Sequence, residues 1–323
     1  MRLLFVIGNG LDIALGLKTS YQAFYDYYQK QPSPDKDIVA LKQNMEEGRY
    51  STWADLELGL GQYTALCPSE LVFLKCLEDI RAHLGEYLSE QEKGLLNMSG
   101  FSKFVLEPWS FIEPVSLRGF HNFTDNRSGE DVISIVTLNY TSTIEKLYKS
   151  DHVRGLKSII HLHGTIDSIV MGVNDEEQIA NKVLAENMEF KEEFVKPIYN
   201  DACMNNKNNE FSELIADSNV FILYGTSIGE SDKKWWHAIG ERLISAEDPA
   251  ALFYFPYDKG KDVEKHQNYR LRWTKAYFSE LLEKLGIKGE YNPNDIEQRV
   301  FIGINKSLFK PVNVVSPRPP KAF

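Results

Sequence analysis

The sequence predicts an α/β fold in which a largely parallel β-sheet carries helices on both faces. Residues 3–7 are all apolar, which is typical of a parallel strand that is covered on both sides. From residue 132 onward, short β-branched and aromatic runs alternate with helical patterns, which indicates a parallel sheet covered by helices. Residues 20–128 are mainly helical in pattern, so we expect a large helical insertion after the first strand.

The elements of the first part follow the opening strand in order. Residues 11–17 can begin a helix directly after the strand. Aromatic residues recur at helical spacing over residues 21–28, and the Pro- and Asp-containing segment 31–37 ends that helix. Two further helices are predicted over residues 53–66 and 70–88.

In the second part, strands are predicted where β-branched and aromatic residues cluster, and helices lie between them. The predicted strands are 132–138, 158–162, 169–172, 220–224 and 250–255. The predicted helices are 141–149, 186–196, 211–217, 232–244 and 263–285. We therefore expect a sheet domain of residues 1–19 and 129–310, a helical insertion of residues 20–128, and an extended tail of residues 311–323.

Composition and charge restrict the classes of function. The 323 residues carry a net charge of −10, which argues against a broad nucleic-acid surface or an anionic membrane partner. The three cysteines, Cys67, Cys76 and Cys203, form no C-x-x-C pair, so neither a disulfide framework nor a cysteine zinc site is supported. No stretch approaches the roughly 20 apolar residues of a membrane span. A reducing cytoplasm is therefore the expected setting.

A glycine turn, Gly8-Asn9-Gly10, follows the opening strand at once. Such a turn lets backbone N–H groups approach a phosphate at the start of a helix, which suggests that the protein holds a nucleotide or dinucleotide. The full dinucleotide fingerprint wants a glycine at position 13, where this chain has Ile13. A tight turn at the end of a strand is the alternative that this motif alone leaves open.

Glycines or polar residues follow four of the predicted strands. Ligands of open parallel sheets bind beyond the carboxyl ends of the strands, so we expect these segments to converge on one crevice. The segments are Gly8-Asn9-Gly10, Asn139-Tyr140-Thr141, His163-Gly164 and Gly225-Thr226-Ser227, with Asp232 close behind the last. This shared position indicates a ligand site more strongly than any single motif does.

The four strand ends, in this order, resemble the sirtuin-like NAD-binding fold, which is Rossmann-like. Its G-A-G-x-S-x-x-x-G pattern is similar to residues 8–16, which keep all three glycines, Gly8, Gly10 and Gly16. Its T-Q-N-x-D element is similar to residues 137–141, and its later H-G and G-T-S elements are similar to His163-Gly164 and to residues 225–227. The resemblance covers the sheet domain only.

A nearer resemblance is to the AbiH-type abortive-infection family of bacterial anti-phage proteins. Its G-N-G-[FL]-D, G-L-x-T-S-Y and W-x-D-L-E elements are similar to residues 8–12, 16–21 and 53–57. Its G-x-S-x-G-x-[ST]-D element is similar to residues 225–232. This resemblance implies phage defence, and sirtuin-like defence effectors are NAD hydrolases.

Two departures from the sirtuin pattern limit what the resemblance implies. The two pairs of cysteines that hold the zinc of the deacetylases are absent, so we expect neither a zinc site nor protein deacylation. The acid of N-x-D, which helps to hold nicotinamide in sirtuins, is Thr141 here.

The resemblance implies NAD as substrate or ligand and assigns roles to particular residues. Cleavage of the nicotinamide–ribose bond passes through an oxocarbenium-like ribose, as in glycoside hydrolysis. His163 would be the base for a water or a ribose hydroxyl, and Asn139 would position that water and the ribose. Gly8, Asn9 and Gly10 would cradle the pyrophosphate, while Asp12 would face the ribose or the nicotinamide. The full predicted binding set is Gly8, Asn9, Gly10, Asp12, Gly16, Thr141, Gly225, Thr226, Ser227 and Asp232.

Three other functions stay open at this point. The first is a sensor that binds NAD, ADP-ribose or a related nucleotide without turnover. The second is a metal-dependent hydrolase or nuclease of a defence system, because His161, His163 and Asp167 form H-x-H-x-x-x-D. The third is a structural partner in a larger defence complex. A phage-derived trigger, a defence-system partner and a homo-oligomer are equally open.

Some of these residues also have a structural interpretation. Asn139 is placed to cap the helix that follows it. His161 shares a side of its strand with His163 and is expected to be structural. Glu57 of the insertion either lies on a solvated helix face or aims a carboxylate into the crevice.

Overall fold

The alternation of strands and helices produces one large sheet and three hydrophobic cores. The computed structural model describes residues 1–95, 98–112, 117, 120, 130–151, 153–245, 250–256, 277–287, 296–303 and 310–311. The strands are β1 (Arg2–Ile7), β2 (Met98–Ser99), β3 (Val132–Thr137), β4 (Leu156–His161), β5 (Gly164–Thr165), β6 (Ser168–Ile169), β7 (Val220–Tyr224), β8 (Ala251–Phe255), β9 (Val300–Ile302) and β10 (Lys310–Pro311).

The helices lie in two groups, before and after β3. The first group is α1 (Gly10–Ala14), α2 (Tyr21–Tyr28), α3 (Lys36–Glu47), α4 (Leu56–Tyr63), α5 (Glu70–Glu92) and α6 (Phe101–Leu106). The second group is α7 (Thr143–Asp151), α8 (Lys182–Glu186), α9 (Met188–Phe194), α10 (Lys196–Ala202), α11 (Lys207–Asp217), α12 (Lys233–Ile244) and α13 (277–284).

Six parallel strands form the main sheet, in the order β4-β3-β1-β7-β8-β9. Counted along the chain, this is the doubly wound order 3-2-1-4-5-6, whose binding crevice lies where the strand order reverses. That switch point lies between β1 and β7. The predicted fold class, a Rossmann-like parallel sheet flanked by helices, is confirmed.

The strand register brings the predicted strand ends to one level. Ile7 is paired with Thr137 on one side and with Tyr224 on the other, and Thr137 is paired in turn with His161. The residues that follow these strands therefore leave the sheet along the same carboxyl edge. This is the physical basis of the predicted convergence.

The opening strand is buried on both faces, as its apolar run predicts. Leu3, Phe5 and Ile7 pack into the core on one face, and Leu4 and Val6 pack into the core on the other. Full burial of each such side chain stabilises the fold by roughly 1.5–3 kcal/mol. This double burial explains why β1 occupies the centre of the sheet.

A third core lies within the helical insertion and beside the segment 171–195. Helices α2 to α5 contribute most of its residues, and Phe190 and Phe194 of α9 pack against Phe73 of α5. Helix α6 differs, because Phe104 packs on β1, with its ring centroid 5.6 Å from that of Phe5. Helix α6 thus packs on the sheet, and the boundaries of the insertion stay a prediction.

Side-chain caps explain where the insertion helices begin. The side chains of Ser20, Asp35, Asp55 and Ser69 accept hydrogen bonds from the first free N–H groups of α2, α3, α4 and α5. Because Asp55 is the cap, α4 begins at Leu56, three residues later than the predicted start of that helix. Trp53 precedes the helix instead of lying on it.

Several predicted elements differ from the observed ones. The predicted strand 169–172 is wrong as a sheet strand, because Gly164 (φ +84°) turns the chain into a short β5–β6 hairpin. The predicted helix 186–196 is divided, since the side chain of Asn187 caps α9 and Pro197 lies at the start of α10. Helix α3 and strand β9 were not predicted. The predicted residues 263–276 and 312–323 lie outside the described part of the chain.

Candidate active site

A cavity of about 390 Å³ opens at the carboxyl edge of the sheet, beside the switch point between β1 and β7. Ligand pockets in proteins commonly measure roughly 300–1,000 Å³. The turns after β1, β3, β4 and β7 line it, together with residues of helices α2, α4 and α5. The site is therefore built between the sheet and the insertion.

The turns after β1 and β7 contact each other backbone to backbone. The N–H of Gly8 donates to the carbonyl of Tyr224 (2.9 Å), and the N–H of Gly10 donates to the carbonyl of Gly225 (2.8 Å). A Cβ at Gly8 would lie 2.7 Å from the carbonyl oxygen of Gly225, and one at Gly225 would lie 2.7 Å from Cα of Gly10. These glycines are required by the close approach of the two turns.

Gly8, Asn9 and Gly10, the predicted pyrophosphate cradle, all line the cavity. The N–H groups of Gly8 and Gly10 are already used within the chain. The N–H of Asn9 donates to no other described residue, so it is the group of this turn that is left for a ligand.

Two of the sequence motifs are joined through Asn9. Its side-chain N–H donates to the carbonyl of Thr19 (2.8 Å), and the hydroxyl of Thr19 donates back to its Oδ1. Gly16, with φ +91°, turns the chain between the two motifs. Gly16 was predicted to bind the ligand, but it does not line the cavity.

Asn139 connects the end of β3 to the glycine turn. Its Nδ2 donates to the carbonyl of Gly8 (3.2 Å), and its N–H donates to Oγ1 of Thr137 (3.1 Å). A cap would use Oδ1 as the acceptor, and no N–H of the described residues donates to it, so the side chain does not cap α7. Asn139 is buried, lines the cavity and leaves Oδ1 without a partner among the described residues.

Asp12 lies buried in the wall beside Thr141. The Thr141 hydroxyl donates to Oδ2 of Asp12 (2.7 Å), and Thr143 donates to the Thr141 hydroxyl (3.2 Å). Burial raises the pKa of Asp12 from 3.8 to about 6, although the two threonines oppose the shift. Its second oxygen, Oδ1, has no hydrogen-bond partner within the described ranges of the chain. The threonine at the position of the sirtuin acid is thus bonded to an acid from another strand end.

His163 and Asp232 form a buried pair. Nε2 of His163 lies 3.0 Å from Oδ1 of Asp232, which also accepts a hydrogen bond from Nδ2 of Asn174 (2.9 Å). Burial favours a raised pKa for Asp232, but His163 and Lys196 outweigh it and hold this pKa well below its usual range. An ionised carboxylate only accepts hydrogen bonds, so Nε2 of His163 carries a proton.

The opposite nitrogen of His163 is consequently the basic one. The residue lines the cavity, and its Nδ1 has no hydrogen-bond partner in the described part of the chain. Asp232 fixes the tautomer in the way that an acid orients a general base in hydrolases. Asp232, which was predicted to bind the ligand, lines the cavity and also contacts the predicted base.

Lys196 of α10 joins this pair to the insertion. Its Nζ donates to Oε2 of Glu57 (2.7 Å) and lies 3.4 Å from both Oδ1 of Asp232 and Nε2 of His163. Glu57 also accepts from the N–H of Gly172 at 3.4 Å. The four charged or titratable side chains are all less than 10 % exposed.

Burial and charge act in opposite directions on this cluster. Burial is the largest influence on the pKa of Glu57 and raises it, while Lys196 and His163 lower it. Burial lowers the pKa of Lys196, but Asp232 and Glu57 outweigh this and raise it above the usual value. Lys196 is therefore an ammonium ion held by two carboxylates.

Three buried polar atoms of residues in the cavity wall lack a hydrogen-bond partner among the residues that the structure describes. They are Oδ1 of Asp12, the hydroxyl oxygen of Tyr140 and Oγ1 of Thr226. A buried polar atom without a hydrogen bond is costly, so such atoms mark a place where a polar ligand or water completes the bonding. The cavity is thus suited to a ligand that carries several hydroxyl, amide or phosphate groups.

Of the remaining predicted residues, some line the cavity and one makes structural contacts. Ser227 lines the cavity and is exposed, and Thr226 and Gly225 line it beside the β1 turn. His161 is structural, as predicted: Nδ1 lies 3.0 Å from the carbonyl of Asn139, and Nε2 lies 2.7 Å from Oε1 of Glu145.

The three residues of the H-x-H-x-x-x-D pattern lie in different surroundings. Among the described residues, no group of three or more His, Cys, Asp or Glu side chains is arranged to hold a metal ion. His161 and His163 contact different carboxylates, and Asp167 is exposed in the turn between β5 and β6. In the same part of the chain, no helix is long and apolar enough to cross a membrane.

Sequence reasoning missed Lys196, Asn174 and Tyr140 as site residues and left Glu57 undecided. Lys196 lies 139 residues from Glu57 along the chain. A lysine beside a proline is an ordinary helix start, so its sequence context carries no signal. For Glu57, the adjacent cap Asp55 and the apolar neighbours Leu56 and Leu60 indicate that the first turn of α4 is buried.

Two comparisons with known proteins bear on this site. A family model described as bacteriophage abortive infection AbiH matches residues 4–255. That range contains most of β1, all of β2 to β8 and every residue of the site described above. A search of curated proteins finds no match.

Proposed function

The chain belongs to the bacteriophage abortive infection AbiH family, and from this premise we propose that it is an anti-phage effector that hydrolyses NAD. In this proposal the cavity binds NAD, and the bond that breaks is the one between nicotinamide and ribose. The products are nicotinamide and ADP-ribose, and the loss of NAD would stop the metabolism of an infected cell.

The observation that carries the proposal is the His163–Asp232 pair at the switch-point cavity. The pair lies in the wall of a cavity at the place where doubly wound sheets bind nucleotides. A base that is fixed by a buried carboxylate is the arrangement that activates a water or a hydroxyl. Binding alone would not require such a pair.

The residues of the cavity fit a dinucleotide. The unpartnered oxygens of Asp12, Tyr140 and Thr226 are suited to ribose hydroxyls, to the carboxamide of nicotinamide and to phosphate. The free N–H of Asn9 and the exposed hydroxyl of Ser227 add two donors at the mouth of the switch point. The volume of about 390 Å³ is adequate for the reacting half of the molecule.

The reaction needs few groups from the protein. As the bond breaks, its electron pair stays with nicotinamide, which leaves as a neutral molecule, and positive charge develops on the ribose. A water then forms the new C–O bond and loses a proton, which Nδ1 of His163 accepts either directly or through a ribose hydroxyl. Oδ1 of Asn139, which has no described partner, is placed to accept a hydrogen bond from that water or from the ribose.

The test is incubation of the purified protein with NAD, with chromatographic separation of the products. We expect nicotinamide and ADP-ribose in equal amounts from the wild type. His163→Ala is expected to lower the rate by about 10²–10⁴-fold, or roughly 3–5 kcal/mol of activation free energy. His237→Ala is the matched control, because His237 does not line the cavity.

Three outcomes would decide the matter. Equal rates for His163→Ala and wild type would overturn the assignment of the base. Saturable binding of ADP-ribose without turnover, in the presence of phage-infected extract as well, would refute the hydrolase and support the sensor. Loss of turnover in His163→Ala, with an unchanged melting temperature and an active His237→Ala, would support the proposed reaction and its site together.

A further inference from the structure

We infer that Lys196 is a positioning residue which keeps His163 available as a base, and that Glu57 of the helical insertion holds Lys196 in place for this purpose. The catalytic meaning of this inference rests on the proposed function. The arrangement of charges that it describes is a property of the free protein and can be measured without a substrate.

The contacts place Lys196 between the two carboxylates. Its Nζ is 2.7 Å from Oε2 of Glu57 and 3.4 Å from Oδ1 of Asp232, the atom that also bonds His163. The Lys196 side chain is 4 % exposed, and the Glu57 side chain is equally buried. An ammonium ion so enclosed has little water to screen it, so its charge acts strongly on its neighbours.

Charge counting shows what Lys196 does. With Glu57 and Asp232 ionised and Lys196 charged, the cluster carries one negative charge when His163 is neutral. Without Lys196 the same cluster would carry two negative charges. Buried charge of one sign is expensive, so His163 would then take up a proton and lose its function as a base. Lys196 thus opposes protonation of His163, whereas Glu57 favours it.

The groups that face His163 come from every element around it. Asp232 lies in the 3₁₀ turn before α12, Lys196 in α10 and Glu57 in α4. Tyr140, after β3, and Asp55, the cap of α4, are the other titratable groups in the same electrostatic neighbourhood. Of these, Lys196 is the only cation within 4 Å of His163 among the described residues.

A second lysine of the chain supplies a matched comparison. Lys75 also bridges two carboxylates, with Nζ 2.7 Å from Asp35 and 2.8 Å from Asp37. Its side chain is 40 % exposed, and it lies in α5, outside the cavity lining. Water and salt screen an exposed pair of this kind, so its removal is expected to leave His163 unaffected.

The experiment is an NMR titration of the free protein with isotope-labelled histidine. The chain has seven histidines, and His163→Ala identifies the signal of His163 by its disappearance. We expect Glu57→Gln to move the titration midpoint of His163 downward by about one pH unit or more, and Lys196→Met to move it upward by a similar amount. The double variant should return toward the wild-type value, and Lys75→Met should not differ from it.

Opposite signs are the decisive feature, because general loosening of the structure would move both variants in the same way. Shifts of equal sign, or no shift in either variant, would overturn the inference. Should Lys196→Met not fold, the isosteric Glu57→Gln decides alone: a downward shift supports the inference, and an upward shift or none refutes it.

Activity measurements separate this inference from the proposed function. If the wild type cleaves NAD, the acid limb of kcat/KM against pH should move in the same directions as the NMR midpoints. Expected NMR shifts in a protein that binds NAD but never cleaves it would refute the hydrolase and leave the role of Lys196 standing. Cleavage that needs His163, with unchanged NMR midpoints in both variants, would refute only the role of Lys196.

Discussion

Replacement of Asp12 by Asn should make the protein's stability less dependent on pH. Burial raises the pKa of this carboxyl from 3.8 to about 6, so the folded state holds the proton more tightly than the unfolded chain does. The wild type therefore loses stability as the pH rises through this interval. The shift of about two pH units corresponds to a loss of about 3 kcal/mol in the free energy of unfolding. This loss is complete well above pH 6, and there is none well below pH 3.8.

The assay is urea unfolding of the wild type and Asp12→Asn at several values of pH. The asparagine cannot ionise, so the variant does not share the loss of stability that the wild type undergoes as the pH rises. The free energy of unfolding of the variant, minus that of the wild type, should therefore increase with pH. Between about pH 5 and pH 8 this change should be about 1.4 kcal/mol, which is the part of the linkage that falls in this range. The slope of the free energy against urea should stay constant, because the same surface is exposed on unfolding.

The two proteins can differ by a constant free energy of unfolding without affecting the test. Only the change of this difference with pH reports the burial of the Asp12 charge. Asp167→Asn is the control, since Asp167 is exposed and its difference from the wild type should be flat. Parallel curves for wild type and Asp12→Asn across the range would refute the reasoning. A difference that changes in the opposite direction would show that Asp12 is stabilised as an anion.

Two further predictions concern the cavity wall. Gly225→Ala should lower the free energy of unfolding by roughly 1–3 kcal/mol or more, because Gly225 has φ +63° and its Cβ would meet Gly10. Gly16 also has a positive φ, but a Cβ there would meet no atom within 4 Å, so Gly16→Ala should lower the free energy of unfolding by less. Equal losses for the two variants in urea unfolding would contradict the role of the contact with Gly10. Tyr140→Phe should leave stability unchanged or raise it by up to about 1 kcal/mol, because the lost hydroxyl is buried and has no hydrogen-bond partner among the described residues. The same variant should bind NAD or ADP-ribose more weakly in calorimetry, and unchanged affinity would remove Tyr140 from the binding set.

The proposed chemistry gives the helical insertion a definite place in the site. Glu57 reaches Lys196 from α4, and Leu84 and Leu88 of α5 line the cavity on the same side. A partner that displaces α4 would therefore act on the charge balance around His163, although it touches neither His163 nor the sheet.

Much of the sheet could be predicted because a buried strand is indicated by the apolar residues of its own short segment. The run over residues 3–7 and the predicted strand 220–224 show buried strands through composition alone, and both are strands of the main sheet. The hairpin after His163 was mistaken for a sheet strand because two residues of extended chain look alike in either setting. Strand β9 has only three residues, too few for a pattern.

The candidate site could also be predicted only in part. The strand ends could be found from the sequence because parallel strands in register must end at one edge, which brings Gly8, Asn139, His163 and Gly225 to one crevice. The hydrogen bonds that these residues make could not be predicted from the sequence. The N–H groups of Gly8 and Gly10 hold two turns together, and Asp232 orients His163.

The sequence by itself determined the parallel sheet with its flanking helices, the mainly helical pattern of residues 20–128 and the family, because hydrophobic periodicity and turn motifs act over a few residues. Only the tertiary structure decided that Lys196 and Glu57 meet His163 and Asp232, and that Thr141 bonds Asp12. The physical reason is that a buried charge is stabilised by whichever opposite charge the packing brings within a few ångströms. That partner lies 139 residues away for Lys196 and Glu57, and 129 residues away for Thr141 and Asp12, beyond the reach of any local pattern.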